Sequence, residues 1–430
     1  MNLFLQTFGC KVNATETDSI GALLMQHNWQ IVSEPEQADA MIINSCTVTA
    51  SGDKRMLQAI RKLRKKAPDA ILLLTGCYVQ AFPEQAKLLP EVDIIIGTKN
   101  RNLIPVLLEN YIKNHTYINA VEAFQTGDSF ESLPQGADSM HTRAFLKIQD
   151  GCNRFCSYCI IPYARGRCRS RELSEIMAET KKLVQQGYQE IVLCGINLAC
   201  YGLENNLTIA DAIQAVANAG MTRIRLSSLE PDGLTEPVLT KLSNIPELLP
   251  HFHISVQSGC DKILKAMRRH YTCAEYAKLL QTIRKLFPDC AITTDIMTGF
   301  PSETEEDFLE TLKFTEQMAF SEMHIFRYSQ RTGTPASEMP DQVPEQIKKQ
   351  RADRLYALSK KLHENYLLSC IGKIYHILFE RQKSPEFHNG HAENYVTVLV
   401  PAKSGENLRG QVRSVKIKSI QDNKLIGELC

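Results

Sequence analysis

The stretch AFLKIQDGCNRFCSYCIIPYARGRCRSR, Ala144 to Arg171, decides how this chain is read. It opens on an apolar run of strand character, Arg143–Gln149, and turns at Asp150-Gly151 into Cys152, Cys156 and Cys159, spaced C-x3-C-x2-C. Three thiolates on one short loop suit three corners of a cubane iron–sulfur cluster and leave its fourth iron open. Such an iron can chelate the amino and carboxyl groups of S-adenosylmethionine, and an electron then breaks a sulfur–carbon bond to give an adenosyl radical. The cofactor supplies that chemistry; the protein positions it and excludes water. Structural zinc is the competing metal, but it asks for four protein ligands in paired spacings, and neither Cys168 nor His141 stands at a usual distance for the fourth. A thioredoxin-like redox pair fits poorly, because its C-x-x-C opens a helix in a different context.

Downstream of this loop, strand-like runs alternate with helical stretches. The strands expected are Arg143–Gln149, Glu190–Gly195, Arg223–Ser228, His251–Gln257, Ala291–Met297 and Glu322–Tyr328. Helices are expected between them at Glu172–Gln186, Thr208–Ala219, Cys273–Leu286 and Glu303–Gln317. Six βα units in series predict a partial (β/α) barrel, with its site at the carboxyl ends of the strands. A long polar helix, Glu345 to Ser369, follows. Four short strands, Ile374–Phe379, Tyr395–Val400, Leu408–Val412 and Val415–Ser419, then predict a small OB-like β-barrel.

Upstream, one pattern repeats three times. Leu3–Phe8 ends at Gly9-Cys10, Ala40–Asn44 at Ser45-Cys46, and Ile71–Thr75 at Gly76-Cys77, each followed by a helical stretch. A fourth strand, Asp93–Gly97, precedes a helix over Leu103–Lys113. The alternation predicts a parallel α/β sheet, and ligands of such sheets bind beyond the strands' carboxyl ends. The geometry brings Cys10, Cys46 and Cys77 to one edge; three independently buried cysteines are the plain alternative. The domains expected are therefore 1–114, a linker over 115–139 rich in Gly, Ser and Pro, a barrel over 140–369 and the terminal domain over 370–430.

The 430 residues, 43% hydrophobic and 23% charged, read as several globular domains rather than one. No apolar run approaches the length of a membrane span, and the N-terminus shows no signal-peptide pattern. Both place the chain in the cytoplasm, with no membrane partner. Fourteen cysteines in a reducing compartment point to metal ligands or thiol chemistry rather than disulfides. A net charge of +1 predicts no partner, so a nucleic-acid surface would have to be local. Lys54 to Lys66 carries seven basic residues and no acid, read either as a phosphate-tracking face or as a solvated one. The terminal domain from Ile371 has nine Lys and Arg against six Asp and Glu, a net of +3, which suits single-stranded RNA on an OB-like barrel.

The Cys triplet and its flanks resemble the radical-SAM superfamily, and within it the methylthiotransferases. QTFGCKVNATET (Gln6 to Thr17), MIINSCTVT (Met41 to Thr49) and LLTGC (Leu73 to Cys77) resemble that family's N-terminal domain, and the last sixty residues its RNA-binding TRAM domain. The resemblance spans nearly the whole chain in the family's order. It implies two 4Fe–4S clusters, one on Cys152, Cys156 and Cys159 and an auxiliary one on Cys10, Cys46 and Cys77, with S-adenosylmethionine as co-substrate. One S-adenosylmethionine methylates a sulfur held at the auxiliary cluster, a second gives the adenosyl radical that abstracts hydrogen, and the carbon radical takes the methylthio group. A radical is required because an aromatic C2–H has no acidity for a general base to use. An electron-donor protein is an implied partner.

The resemblance implies as substrate the tRNA anticodon loop at adenosine 37, carrying a threonylcarbamoyl or an isopentenyl group, or else a ribosomal protein. Gly9-Cys10-Lys11-Val12-Asn13 and KIQDGCNRFCSYCIIPYARG (Lys147 to Gly166) lean toward the threonylcarbamoyl branch, while Thr15 stands where that branch more often has an aromatic residue. A non-catalytic iron–sulfur RNA-binding protein is the reading from a different class. Strand-end residues Gly195, Asn197, Ser227, Ser228, Glu230, Gln257, Ser258, Asp295 and Gly299 are candidate S-adenosylmethionine contacts, against a plain role in caps and turns. Arg165, Arg167, Arg169 and Arg171 suit either phosphate or carboxylate recognition or a solvated surface. The remaining cysteines, Cys194 and Cys260 among them, read as packing thiols.

Overall fold

The computed structural model describes residues 1–136, 142–382, 384–403 and 405–430; the end of the expected linker, Met140 and His141 lie outside the described residues. The chain begins with a six-stranded parallel sheet, β1 (Asn2–Thr7), β2 (Gln30–Ile31), β3 (Ala40–Ser45), β4 (Ile71–Gly76), β5 (Ile94–Ile95) and β6 (Ile118–Asn119), in spatial order β2-β1-β3-β4-β5-β6. Strands β3 and β4 are buried along their whole length, as expected of a sheet covered on both faces. Helices α1 (Lys11–Gln26), α2 (Ala50–Lys66) and α3 (Cys77–Ala81) each start one to five residues after a strand ends. Trp29 packs with Leu3, Ile20 and Leu24 in this core. β6 falls in the segment read as a linker, which is pinned again by Glu131 on Arg101, 3.0 Å.

The second unit contains β7 (Ala144–Lys147), the short pair β8 (Gln149–Asp150) and β9 (Arg169–Ser170), then β10 (Ile191–Cys194), β11 (Ile224–Leu226), β12 (His251–His253), β13 (Ala291–Thr298) and β14 (Glu322–Arg327). Two parallel three-stranded sheets, β11-β10-β7 and β12-β13-β14, are joined by bridges between Ile224 and Leu248 and between Leu229 and Ile254. The result is the expected partial barrel, its helices packed outside against Leu146, Ile191, Leu193 and Ile292. The inward-facing Val192 and Cys194 instead meet Val12 of α1, so the first unit plugs into the barrel's interior.

Helix Glu345–Cys370 leads to a closed five-stranded barrel, β15 (Ile374–Phe379), β16 (Phe387–His391), β17 (Thr397–Pro401), β18 (Val412–Gln421) and β19 (Lys424–Leu429), ordered β15-β16-β17-β19-β18. Two strand expectations need correction. Leu408–Val412 is a turn that reaches sheet only at Val412, because Gly410 takes φ +77 and breaks the run. The polar FHNGH at 387–391 and KLIGEL at 424–429 are strands although neither shows clean alternation; closure of the barrel supplies their partners.

Candidate functional site

Strands β1, β3 and β4 are adjacent, so their carboxyl ends form one ledge. Cys10 caps α1, Cys46 follows β3, and Cys77 opens α3, which sets the three thiols along that ledge as the sequence pattern predicts. A chain of side-chain hydrogen bonds fastens it. Asn13 accepts at Oδ1 from the Cys10 thiol, 3.3 Å, and donates to the Ser45 carbonyl, 3.2 Å. Asn44 donates to the Asn13 carbonyl, 2.9 Å; Ser45 donates to the Thr75 carbonyl, 2.5 Å; and Thr75 donates to the Gly97 carbonyl, 2.8 Å. Each strand end that carries a cysteine is thus tied to the neighbouring segment by a side-chain hydrogen bond to its backbone.

Glycines let the strand ends approach. A Cβ on Gly9 would stand 2.6 Å from Cys46 Cβ, and Gly76, at φ +102, would place one 2.3 Å from the Ser45 carbonyl oxygen. Gly76→Ala is therefore expected to disorganise the ledge while sparing the loop at Cys152. After anaerobic reconstitution, it should retain clearly less iron per chain than the unaltered protein, read by iron analysis. An iron content equal to that of the unaltered protein would contradict this.

The second trio sits on the loop after β8. Gly151 takes φ +75, and a Cβ there would overlap the Arg167 carbonyl. The amide of Cys152 donates to Gly166, 3.0 Å, and that of Ser157 to Met267, 3.0 Å, so the loop is tied at both ends. Asn197 reaches Cys152 Sγ at 3.7 Å, and Arg269 reaches Cys156 Sγ at 3.3 Å while its other nitrogen ion-pairs with Glu230. Burial pushes the Cys152 thiol up to about 11, and burial together with Cys77 pushes Cys46 to about 12. Cys77, Cys156 and Cys159 are raised as well, first by burial. Buried thiols clustered this way resist ionisation unless a cation arrives, which is the donor chemistry of a cluster site. Among the described residues no three His, Cys, Asp or Glu side chains gather around a single-ion position; a cubane asks instead for one thiolate per iron.

One side chain of the segment after Cys159 reaches the other trio. Arg165 lies one short helix beyond Cys159 and is fully buried. Its Nε donates to Cys77 Sγ, 3.1 Å, and its other nitrogens bind Glu16 of α1. Glu16 also receives Arg101 at 2.8 Å and Lys147 at 2.6 Å, and Lys147 bridges to Asp150 at 2.5 Å. Burial would raise the Glu16 carboxyl; Arg101, Arg165 and Lys147 outweigh it and hold the group well below the usual range. Arg169 and Arg171 are buried too, and Arg167 lies over the Phe155 ring at 4.5 Å. The reading of this arginine run as a solvated surface is corrected for Arg165, Arg169 and Arg171, which are interior, and Arg165 is an ion-pair hub between the units; Arg167 is exposed.

The other expected contacts divide. Asn197, Ser227 and Glu230 stand at the carboxyl ends of β10 and β11, and the Asn197 Oδ1 and Ser227 Oγ atoms are buried without a partner, as befits a pocket that takes a polar ligand. Asp295 accepts from Ser255 at 2.9 Å and faces His253 at 3.3 Å, with the Gln257 amide on its carbonyl at 2.9 Å. Gly195 packs against Gln149 and Leu198. Ser258 and Gly299 are absorbed by the fold: Ser258 caps toward Thr311, and Gly299 lies under Lys348. Cys194 and Cys260 are buried packing thiols, as expected. Glu16, Asn13 and Arg269 were not anticipated; the motif GCKVN at Gly9–Asn13 held a signal only for Asn13.

Two family profiles match the chain: "Radical SAM superfamily" over residues 146–315 and "Uncharacterized protein family UPF0004" over residues 2–97. The chain is 39% identical over 418 residues, 96% of its length and 92% of the other protein, to the threonylcarbamoyladenosine tRNA methylthiotransferase MtaB of Bacillus subtilis (strain 168). It is 35% identical to the tRNA-2-methylthio-N(6)-dimethylallyladenosine synthase of Clostridium botulinum (strain Hall), across 99% of this chain and 96% of that one. Among solved structures, the radical S-adenosylmethionine methyltransferase TsrM of Kitasatospora setae superposes with a TM-score of 0.59 at 13% identity, over 78% of this chain and 77% of that one, a likeness of fold.

Proposed function

The chain belongs to the radical-SAM methylthiotransferases, with one 4Fe–4S cluster and S-adenosylmethionine as its cofactors, and on that premise we propose that it adds a methylthio group to C2 of N6-threonylcarbamoyladenosine at position 37 of tRNA. The observation that carries this reading is the pair of strand-end cysteine trios, with Arg165, six residues beyond Cys159, reaching Cys77 of the other trio, in a chain whose similarity to a threonylcarbamoyladenosine enzyme runs nearly end to end. Cys152, Cys156 and Cys159 would hold the cluster that delivers an electron to S-adenosylmethionine. Cys10, Cys46 and Cys77 would hold a second 4Fe–4S cluster, whose free iron suits a sulfur ligand. Together these groups supply radical formation and a transferable sulfur when bound.

The residues do the rest. Arg269 and Asn197 direct N–H groups at sulfurs of the first trio, and Arg165 at one of the second, which stabilises added negative charge on each. Glu230 is held beside Arg269, Cys152 and Cys156, and burial raises its carboxyl. Asn197, Ser227 and Glu230 offer acceptors for an ammonium group at the open face of the first trio. The plug of α1 against Val192 and Cys194 excludes water from the interior where a radical would form. An electron-donor protein completes the cycle.

The terminal barrel would hold the tRNA. Arg413, Lys416 and Lys418 are exposed along β18, with Glu428 of β19 on Lys418 at 3.0 Å. Replacing Arg413 and Lys416 together with glutamate is expected to weaken tRNA binding by roughly tenfold or more at low salt and to flatten its salt dependence. Unchanged affinity and slope would move the RNA surface elsewhere. The reaction itself is tested by mass spectrometry of tRNA nucleosides from a strain lacking the gene. The 2-methylthio derivative of threonylcarbamoyladenosine should vanish and return on complementation; unaltered nucleosides would reject the tRNA assignment.

A further inference from the structure

Lys11 follows Cys10 directly, at the first turn of α1, and Val12 after it is buried against Val192 and Cys194 on the barrel's inner wall. Lys11 therefore stands where the ledge of the auxiliary trio opens into the lumen. It is exposed, and its ammonium lies 5.7 Å from the centre of the Tyr395 ring, which the terminal barrel presents to the lumen's floor. Among the described residues it meets that ring and no carboxylate.

The floor is polar. The rings of His253 and His324 lie 5.4 Å apart, and His251 lies 4.9 Å from Tyr395 with its Nδ1 buried and unpartnered. The arginines beneath are already matched: Arg143 pairs with Glu380 at 2.8 Å and Arg225 with Glu190 at 2.9 Å. Asp295, tied to Ser255 and His253, is the acid that faces this space. Burial first, and then the nearness of Arg225, His253, Lys11 and His324, hold the His251 imidazole well below its ordinary value.

The two branches of the reaction differ in what the adenosine carries. An isopentenyl arm is hydrocarbon and gains nothing from a free ammonium and an orphaned imidazole nitrogen. A threonylcarbamoyl arm ends in a carboxylate and a hydroxyl. We propose that Lys11 is the specificity residue of this enzyme: its ammonium receives the carboxylate of the threonylcarbamoyl arm, with the unpartnered Nδ1 of His251 as hydrogen-bond partner for the arm's polar end. The inference deepens the function argued above and rests on it. Lys11 positions substrate beside Cys10, where the transferred sulfur would be held, so recognition and delivery share one turn of chain.

The test is binding of two synthetic anticodon stem-loops to the reconstituted full-length enzyme, identical except for threonylcarbamoyladenosine or isopentenyladenosine at position 37. The unaltered enzyme should prefer the threonylcarbamoyl loop by tenfold or more, the size expected of one charge-assisted contact. Lys11→Gln should bring the two affinities together with no loss on the isopentenyl loop or in iron content, and Lys11→Arg should restore the preference. A folding defect would instead weaken both loops alike and lower the iron content, and Lys11→Arg then decides: a preference restored supports the proposal, and one lost despite full iron overturns it. A Lys11→Gln enzyme that keeps its preference overturns the inference and leaves the function standing. An unaltered enzyme that prefers the isopentenyl loop overturns the function, and this inference with it.

Discussion

Cys152→Ala is expected to abolish both formation of 5′-deoxyadenosine and transfer of the methylthio group, whereas Cys10→Ala should abolish transfer while S-adenosylmethionine is still cleaved. Both losses should reach on the order of a thousandfold or more, since removing one member of a group that acts as a unit removes the unit's function. The split follows from placement. Cys152 lies on the loop tied to Gly166 and Met267, beside Asn197, Glu230 and Arg269, and none of those anchors involves the ledge. Cys10 lies on the ledge, held by Asn13 and Asn44, which are independent of that loop. Chromatography of the nucleoside by-product and mass spectrometry of the tRNA read the two activities separately. Loss of cleavage in Cys10→Ala would mean that the two trios are not functionally separable.

Glu16→Ala is expected to be the most damaging single substitution outside the cysteines. It leaves Arg101, Arg165 and Lys147 buried around a vanished charge, and removing one partner of a buried pair costs about 3–5 kcal/mol. The damage falls where the first unit meets the barrel, so thermal unfolding should drop and Cys77 should lose the anchored Arg165 that faces it. The same knot predicts a pH dependence. The folded Glu16 carboxyl is held well below its ordinary value of 4.5, so its stabilisation is complete above that value and is lost as pH falls through the depressed one. Thermal melts from pH 7 down to pH 4 should change little through this group and steepen below; Glu16→Gln should flatten that acid limb. An unaltered melting temperature in Glu16→Ala would show that the knot does not hold the units together.

The Cys152 loop was legible because its chemistry is contiguous: three thiols within eight residues of chain after an apolar strand. The ledge of Cys10, Cys46 and Cys77 was legible because each cysteine ends a strand of the same parallel sheet, and topology brings equivalent ends together. The knot at Glu16 was not, since its partners lie 85 to 149 positions away and a charged residue on a helix looks the same in sequence whether it is solvated or buried. The arginine run at Arg165–Arg171 shows the same blindness, three of its members turning inward. Strands β16 and β19 escaped notice because their stability comes from closing a barrel rather than from local alternation.

The most direct measurement is the reaction itself: anaerobically reconstituted enzyme, S-adenosylmethionine, a low-potential reductant and tRNA bearing threonylcarbamoyladenosine, followed by mass spectrometry of the digested nucleosides. A new nucleoside heavier by one methylthio group in place of hydrogen is expected, formed together with 5′-deoxyadenosine and absent with either Cys10→Ala or Cys152→Ala. Deoxyadenosine without a modified nucleoside on this tRNA, but with one on isopentenyladenosine tRNA or on a ribosomal protein, would contradict this.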